Sequence, residues 1–314
     1  MQNIYKILSA IIFLIVTSCE LTVDVDLPEF KPSLVVNCVI SPEDTAVVLN
    51  LSQNRSILDN SYDFILVNNA TVKFYEGETF IGNLLPANDP GSYSLDFNPQ
   101  RGKEYSINID KTGFEPVSSS TQIPSDTAQI SLSAISHKPD EYGGQSTRIT
   151  YMIRDPKGPD FYETSLYILY GYDNWYYDEV LDSVIHEKHK PTWQKIHYSN
   201  VGADVNEFED NSYQQQFSDE LFDGQNHESI IEFSSFRQPD ETGADTLRFK
   251  LVVHKLTSDY YRYLNTSQLQ SDLGGSPFAQ PIQVYSNIKN GLGILGSHNS
   301  STLPFTLING EWQK

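Results

Sequence analysis

Short runs of alternating apolar and polar residues, separated by turn residues, constrain the fold of this chain most. Between residues 33 and 124 the candidate strands are SLVVNCVIS, TAVVLNLSQ, ATVKFYE, TFIGNLL, SYSLDF, EYSINID and EPVSSSTQI. Turn-forming pairs such as Arg101-Gly102 and Thr112-Gly113 separate some of them. About seven strands in roughly ninety residues predict a β-sandwich of immunoglobulin-like type.

The pattern changes little after a proline-containing boundary near residue 125. Further candidate strands are QISLSAIS, TRITYMIR, TSLYILYGY, IIEFSSF and TLRFKLVVHKL. The segment Thr257–Ser271 is the best helix candidate, with Thr257 or Ser258 as its cap. The predicted fold class is therefore mainly β: an N-terminal immunoglobulin-like β-sandwich (33–124) followed by a second β-rich domain with one short helix (126–314).

The N-terminus reads as a targeting segment. Lys6 is the only charged residue in 1–18, and the apolar run Ile7–Val16 is too short to span a bilayer. The segment ends in VTSC, which resembles the lipobox of bacterial lipoproteins, in which the cysteine (Cys19 here) receives a diacylglycerol and becomes the first residue. The alternative is an ordinary secretory signal with a cysteine present by chance.

Residues 19–32 read as an acidic, proline-containing tether. About twelve extended residues reach roughly 40 Å at about 3.3 Å each. If Cys19 is lipidated, Cys38 is the only cysteine left, so no internal disulfide can form and the fold depends on its core. Because Leu34, Val36 and Cys38 alternate in one candidate strand, we expect the Cys38 thiol to be buried.

Charge narrows the range of partners. The chain carries 41 acidic and 21 basic residues, a formal net charge of −20. An acidic protein repels phosphate backbones, so a nucleic-acid partner is not expected. Acidity is equally the mark of a well-solvated surface, so it identifies no partner by itself.

The segment NGLGILG contains the spacing G-x-G-x-x-G, at Gly291, Gly293 and Gly296. A dinucleotide-binding turn would have to follow a buried strand, open a helix and sit within a βαβ unit. IQVYSNI could be the strand, but serines, an asparagine and Pro304 follow where the helix should run, and the given sequence ends soon after Glu311. We therefore predict a crowded glycine turn in which glycine supplies positive φ or close backbone approach, and no cofactor.

Other chemical motifs are incomplete. His186 and His189 are three residues apart, whereas a zincin helix needs histidines four apart, so two exposed histidines are the simpler reading. Neighbouring carboxylates are expected in so acidic a chain, and nothing in the sequence selects one of them as a general acid. The groups are Asp178 with Glu179, Glu207 with Glu209 and Asp210, and Asp219 with Glu220. A calcium site in the acidic loop 204–223 stays open, although EF-hand spacing is absent. No catalytic, cofactor or metal residues are assigned, and a non-enzymatic protein is predicted.

One aromatic-rich segment is the first place to look for a partner surface. Tyrosine and tryptophan combine a large apolar face with a polar tip and favour binding surfaces, although they also favour strands. The candidate partner-surface residues are Tyr170, Tyr172, Trp175, Tyr176 and Tyr177.

A tripeptide of the form Asp, then Ser or Thr, then a small or aliphatic residue occurs four times. It resembles the acceptor site for O-glycosylation in the Bacteroidetes, and the acceptors would be Thr45, Thr127, Ser183 and Thr246. The alternative is that these are ordinary turn-forming pairs.

Longer segments resemble a known family. They include DVDLPEFKPSLVVNCVISPED, NATVKFYEGETFIGNL, IRDPKGPDFYE, FSDELFDGQ and YYRYLNTSQLQSDLGGSPFAQPIQVYSNIKNGLGILGSHN. Together they resemble the Bacteroidetes lipoprotein family catalogued as domain of unknown function 4249. The chain departs from the expected pattern at Cys38, where glycine is expected, and at DFYE, where NYY is commoner. The resemblance implies a β-rich outer-membrane lipoprotein, often encoded beside TonB-dependent receptors, without established catalytic residues.

These observations predict a non-enzymatic outer-membrane lipoprotein that is an accessory or ligand-binding partner of a TonB-dependent transporter. Its ligand would be a small nutrient or a glycan. The alternative function is a cell-surface adhesion or envelope-assembly lipoprotein. Whether the protein faces the cell surface or the periplasm stays open, because the acids after Cys19 match surface-export signals only weakly.

Overall fold

A computed structural model describes residues 30–56, 59, 61, 63–139, 145–170, 173–178, 182–188, 190–201, 216–234, 246–273, 282–308 and 311–313. The described chain is mainly β, with large sheets and one helix, which confirms the predicted fold class. The lipidation site Cys19 lies outside the described residues, and lipidation stays a prediction.

Each of the seven strands predicted before residue 124 is present, together with one short strand that was not predicted. The strands are β1 (Leu34–Ile40), β2 (Ala46–Gln53), β3 (Ile65–Leu66), β4 (Thr71–Glu76), β5 (Thr79–Pro86), β6 (Ser92–Asp96), β7 (Glu104–Asp110) and β8 (Val117–Gln122). They are hydrogen-bonded in the order β1-β2-β6-β5-β4-β7-β8, with β3 on β2.

The second half of the described chain holds the remaining strands and the helix. They are β9 (Gln129–Pro139), β10 (Gln145–Arg154), β11 (Phe161–Tyr170), β12 (Asp173–Asp178), β13 (Ser183–Lys188), β14 (Thr192–Ile196), β15 (Ser199–Val201), β16 (Gln216–Ser218), β17 (Asn226–Ser234), β18 (Thr246–Leu256), α1 (Ser258–Leu273), β19 (Leu292–Ile308) and β20 (Glu311–Gln313). The predicted strand IQVYSNI is wrong, because residues 282–288 belong to no strand. The helix matches its prediction closely.

A first core lies between the faces of the N-terminal strands. Period-two alternation in β1 sends Leu34, Val36, Cys38 and Ile40 inward, each no more than 1% exposed. Cys38 is a free, buried cysteine as expected, and burial raises the pKa of its thiol to about 12. It therefore behaves as a small apolar side chain.

A second core lies between two other sheets. One sheet has the order β15-β17-β10-β9, and the facing strands run β14-β11-β18-β19. Tyr151 of β10 and Thr164 of β11 meet across this core, with their hydroxyl oxygens 3.0 Å apart. The apolar side chains between the sheets include Ile149, Ile231 and Leu251, which are fully buried.

Strand β19 takes part in both cores. Its first residues pair parallel to β1, where Leu295 lies opposite Cys38 and enters the first core. From His298 to Ile308 it pairs antiparallel to β18, and Phe305 enters the second core. The predicted division of the chain into domains near residue 125 stays a prediction.

Candidate functional site

The face of β14, β11, β18 and β19 that points away from the second core is the first candidate surface. Alternation in β18 buries Phe249 and Leu251 and leaves Arg248 and Lys250 on the opposite face. We call this side of the four strands the outer sheet face.

Lys250 is held between two aromatic rings on the outer sheet face. Its Nζ lies 5.0 Å from the ring centroid of Tyr167 and 4.6 Å from that of Trp193. Tyr167 stands directly opposite Lys250 in the β11–β18 ladder, and Trp193 belongs to β14. Trp193 remains 42% exposed. A cation over an aromatic ring is favourable and fixes the position of the ammonium group, while part of the indole stays open to a ligand.

The outer sheet face concentrates positive charge on an acidic chain. Lys195 lies opposite Tyr167, and Arg248 lies opposite Leu169. Lys195 is 3.6 Å from the carboxylate of Glu163. Burial raises the pKa of Glu163, and the nearby lysine works against that rise. Cations and open aromatic surface together suit a ligand with negative charge and a flat apolar side.

The predicted partner-surface residues lie near this face in the chain. Tyr170 is the last residue of β11, and the backbone of Trp175, Tyr176 and Tyr177 belongs to β12, which pairs with β13 in a separate hairpin. Tyr172 and all five side chains lie outside the described residues, so this surface stays a prediction. Alternation in TWQKI places Trp193 and Lys195 on one face of β14, and alternation in LRFKLVV places Arg248 and Lys250 on one face of β18. Only the order of the strands makes these residues neighbours.

A second candidate is a cluster of three carboxylates: Asp155, Asp219 and Asp223. One carboxylate oxygen from each lies within 4.8 Å of the other two, and Asp155 and Asp219 are 5% and 2% exposed. Two loops meet here, one before β11 and one before β17. Burial raises the pKa of Asp219, and the carboxylates of Asp155 and Asp160 add to that rise.

Each of these carboxylates already accepts a hydrogen bond. Tyr162 Oη donates to Asp155 at 2.6 Å, and the backbone N–H groups of Asp160 and Gly158 donate to Asp219 at 2.9 Å and to Asp223 at 2.7 Å. Oxygen ligands of this kind could hold Ca²⁺, but the same bonds also explain the cluster as a device that joins two loops. The predicted calcium loop contributes Asp219 and Asp223, and calcium binding stays a prediction. Residues 204–215 of that loop, including Glu207, Glu209 and Asp210, lie outside the described residues.

The same region contains a buried lysine that pairs with a half-buried and an exposed carboxylate. Lys255 Nζ lies 2.9 Å from the carboxylate of Asp160 and 3.0 Å from that of Asp126. Burial acts to lower the pKa of Lys255, but the two carboxylates more than offset it, and the net pKa is raised. The lysine thus joins β18 to the loop before β11 and to the segment that precedes β9.

Two histidines share a serine beneath α1. His254 Nδ1 lies 2.7 Å and His298 Nδ1 3.2 Å from Ser300 Oγ, and the two rings meet edge to face at a centroid separation of 4.7 Å. Burial lowers the pKa of His254 to about 3, with further lowering by His298 and Lys195. Burial also lowers the pKa of His298, while the carboxylates of Glu43 and Asp44 work against that change. The histidine pair noted in the sequence is a different one: the backbone of His186 lies in β13, while its side chain and all of His189 lie outside the described residues.

The glycine motif allows close packing, as expected, but the predicted turn is wrong, because Gly293 and Gly296 lie in β19 and pair with β1. Gly293 has φ of 99°, and an added Cβ would overlap the carbonyl oxygen of Val36. An added Cβ at Gly291 would lie 2.9 Å from the oxygen of Leu34, and one at Gly296 would lie 2.8 Å from the Tyr260 ring. The motif opens a strand and not a helix, so the chain context of a dinucleotide site is missing.

The four candidate O-glycosylation residues all stand just before a strand or at its first residue. Thr45 and Ser183 are exposed, Thr127 is half-buried, and the side chain of Thr246 lies outside the described residues. The preceding aspartates also have structural roles. Asp44 accepts a 2.6 Å hydrogen bond from the backbone N–H of Ser41, and Asp182 has φ of 47°. Turn formation therefore accounts for part of the pattern, and glycosylation stays a prediction.

Comparison with known proteins identifies the family. The model of the family described as Domain of unknown function (DUF4249) matches residues 20–303, so the chain belongs to that family. No curated protein matches the chain. Within the described part of the chain, no helix combines the length and apolar character needed to cross a bilayer.

Solved structures show only distant likeness. A mutant alpha-2-macroglobulin from Salmonella is 13% identical, with a TM-score of 0.23, over 74% of this chain and 14% of that one. A DUF4785 family protein from Legionella pneumophila is 11% identical, with a TM-score of 0.20, over 72% of this chain and 52% of that one. The chain thus spans about half the length of the Legionella protein and a much smaller part of the Salmonella protein. TM-scores this low carry no argument about function.

Proposed function

We propose that this member of the family is a non-enzymatic outer-membrane lipoprotein that serves as an accessory or ligand-binding partner of a TonB-dependent transporter. The lipid anchor is supported by the VTSC segment ending at Cys19 and by the acidic tether after it. The transporter partnership is supported by the family resemblance of the longer sequence segments.

The observation that carries a binding role is the arrangement around Lys250. An ammonium group held over Tyr167 and Trp193, beside the further cations Lys195 and Arg248, offers a charged and aromatic contact surface. Aromatic residues and arginine are the types that dominate binding energies at protein interfaces. We propose that the outer sheet face binds an anionic surface of the transporter or an anionic glycan.

The experiment is affinity purification of the native lipoprotein from detergent-solubilised outer membrane. We expect a β-barrel receptor to copurify, and Lys250→Glu to lower its recovery about tenfold, as a loss of about 1.4 kcal/mol would. The control is Lys73→Glu, the same charge change on exposed β4, which should leave recovery unchanged.

Recovery of the wild-type lipoprotein without any β-barrel receptor would count against the transporter partnership. A deletion strain that imports normally but loses surface attachment would favour the adhesion alternative. Protease treatment of whole cells separates the two faces of the membrane, because only a surface-exposed protein is cleaved.

A further inference from the structure

The end of the first core at which the tether joins is fixed by hydrogen bonds. The backbone N–H of Ser33 donates to Asn54 Oδ1 at 2.7 Å, and the backbone N–H of Asn54 donates to the oxygen of Ser33 at 3.1 Å. The start of β1 is thereby tied to the end of β2. The chain between Cys19 and this point therefore reaches the folded part at one defined end of the first sandwich.

Apolar side chains are exposed at the same end. Leu66 of β3, Ser52 of β2, Val35 of β1 and Leu292 of β19 lie opposite one another in successive ladders, on the side of these strands that faces away from the first core. Leu66 is 47% exposed and Leu292 41% exposed. Phe64, two residues before Leu66, is 83% exposed. We call Val35, Phe64, Leu66 and Leu292 the apolar rim.

Charged groups of both signs lie beside the apolar rim. Arg55 pairs with Asp59 at 2.6 Å, which neutralises that carboxylate in the loop beside Phe64, and Arg55 also bonds the backbone carbonyl oxygen of Asp63. Lys289 is exposed and bridges to the start of β8, just before Leu292 in the chain. Lys289 thus offers an exposed cation beside the apolar side chains at this end of an otherwise acidic molecule.

We propose that the apolar rim rests on the lipid bilayer, at the boundary between headgroups and acyl chains. The inference rests on the proposed lipidation of Cys19, because the tether keeps this end within roughly 40 Å of the headgroups. An exposed aromatic ring with neighbouring leucines partitions into that boundary, and lysines beside them meet lipid phosphates. The lipid anchor and the rim together orient the first sandwich on the membrane.

The test uses the full-length lipoprotein, isolated with its native lipid and reconstituted into vesicles of phosphatidylethanolamine and phosphatidylglycerol. A nitroxide label at Ser52→Cys reports from the middle of the apolar row without removing a rim residue. Cys38 is buried and its thiol is unreactive, so it does not compete for the label. The reference sample is the same labelled protein in detergent-free buffer after a lipase has released its acyl chains. In vesicles we expect the label to be severalfold more accessible to oxygen than in this reference, and less accessible to a polar nickel reagent.

Two variants make the test specific. The double change Phe64→Ser and Leu292→Ser should return the label at position 52 to the accessibility of a water-exposed site. The control Leu221→Ser removes a side chain that is 84% exposed and far along the chain, on the turn before β17, and should change nothing.

The possible outcomes separate the inference from the proposed function. A lipoprotein that floats with the vesicles while its label at 52 stays fully exposed to the nickel reagent overturns the rim proposal and leaves the anchor intact. A chain that does not float, and whose mass lacks the diacylglycerol, overturns both. Spin–spin broadening at position 52 would assign the rim to a second copy of the chain and would also overturn the proposal.

Discussion

At the scale of single residues, the glycine motif shows how close packing dictates residue type. The motif lies where β19 begins beside β1, and Gly293 combines a positive φ with direct backbone contact. A side chain there faces two independent penalties, conformational strain and steric overlap with a carbonyl group that is itself held in a ladder.

We predict that Gly293→Ala destabilises the folded chain by about 4 kcal/mol or more, the range associated with overpacking and backbone strain combined. The matched control is Gly113→Ala. Gly113 has φ of 90°, but an added Cβ would meet nothing within 4 Å, so only strain of about 1–2 kcal/mol is expected. Urea unfolding of both variants measures the difference; equal losses would show that the contact with Val36 is unimportant.

Added NAD should leave the melting temperature unchanged.

His254 predicts a pH dependence of stability. Its folded pKa of about 3 lies below the ordinary value of 6.5, so the unfolded chain binds the proton more readily. Stability is therefore complete above about pH 6.5 and falls as the pH decreases toward 3, by about 2 kcal/mol at pH 5 from this group alone. His254→Asn keeps a nitrogen donor near Ser300 without titrating in this range. Unfolding at pH 7.5 and pH 5 should show a smaller loss in the variant, and an equal loss would refute the assignment.

At the scale of elements, buried polar groups join segments that the ladders leave apart. Asn299 of β19 donates to the backbone oxygens of Pro124 and Asp126, and Ser301 donates to that of Ala128. These bonds attach the segment between β8 and β9 to β19. Lys255 of β18 strengthens the attachment through its two carboxylate partners.

We predict that Lys255→Met destabilises the chain by about 3–5 kcal/mol, because Asp160 would be left partly buried without its cation. The control is Lys103→Met, which removes an exposed ion pair with Glu76 at 3.2 Å and should cost about 0–1 kcal/mol. Denaturant unfolding compares the two. If Lys255→Met lowers the free energy of unfolding no more than the control does, water must solvate the Asp160 carboxylate once its cation is gone.

At the scale of the whole molecule, β19 is the element that couples the two cores. The same 17-residue strand supplies Leu295 to the first core and Phe305 to the second. A strand shared in this way cannot leave one core without disturbing the other, so the two cores should not unfold independently.

We predict a single calorimetric unfolding transition for the folded chain, with equal calorimetric and van't Hoff enthalpies. Phe305→Ala, in the second core, and Val36→Ala, in the first, should each lower the temperature of that one transition. Two transitions, with each variant shifting only one, would instead support independent domains divided near residue 125.

Much of the fold follows from the sequence because strand alternation is a local property. In β1 and β18 the period of two alone identifies the residues that enter the cores, and the cap candidates Thr257 and Ser258 identify the start of the helix. The sequence also predicts the buried thiol of Cys38 and the packing role of the glycine motif. Both depend on the residues that neighbour them in the chain.

The candidate surfaces depended on tertiary structure. Lys250, Tyr167 and Trp193 are far apart in sequence, and only the order β14-β11-β18 makes them adjacent. Asp155 likewise joins Asp219 and Asp223 only where two loops meet, and Leu66 and Leu292 share a row only because β1 and β2 lie between their strands. The physical reason is that alternation specifies which face a side chain takes, whereas strand order, which depends on long-range pairing and packing, specifies its neighbours.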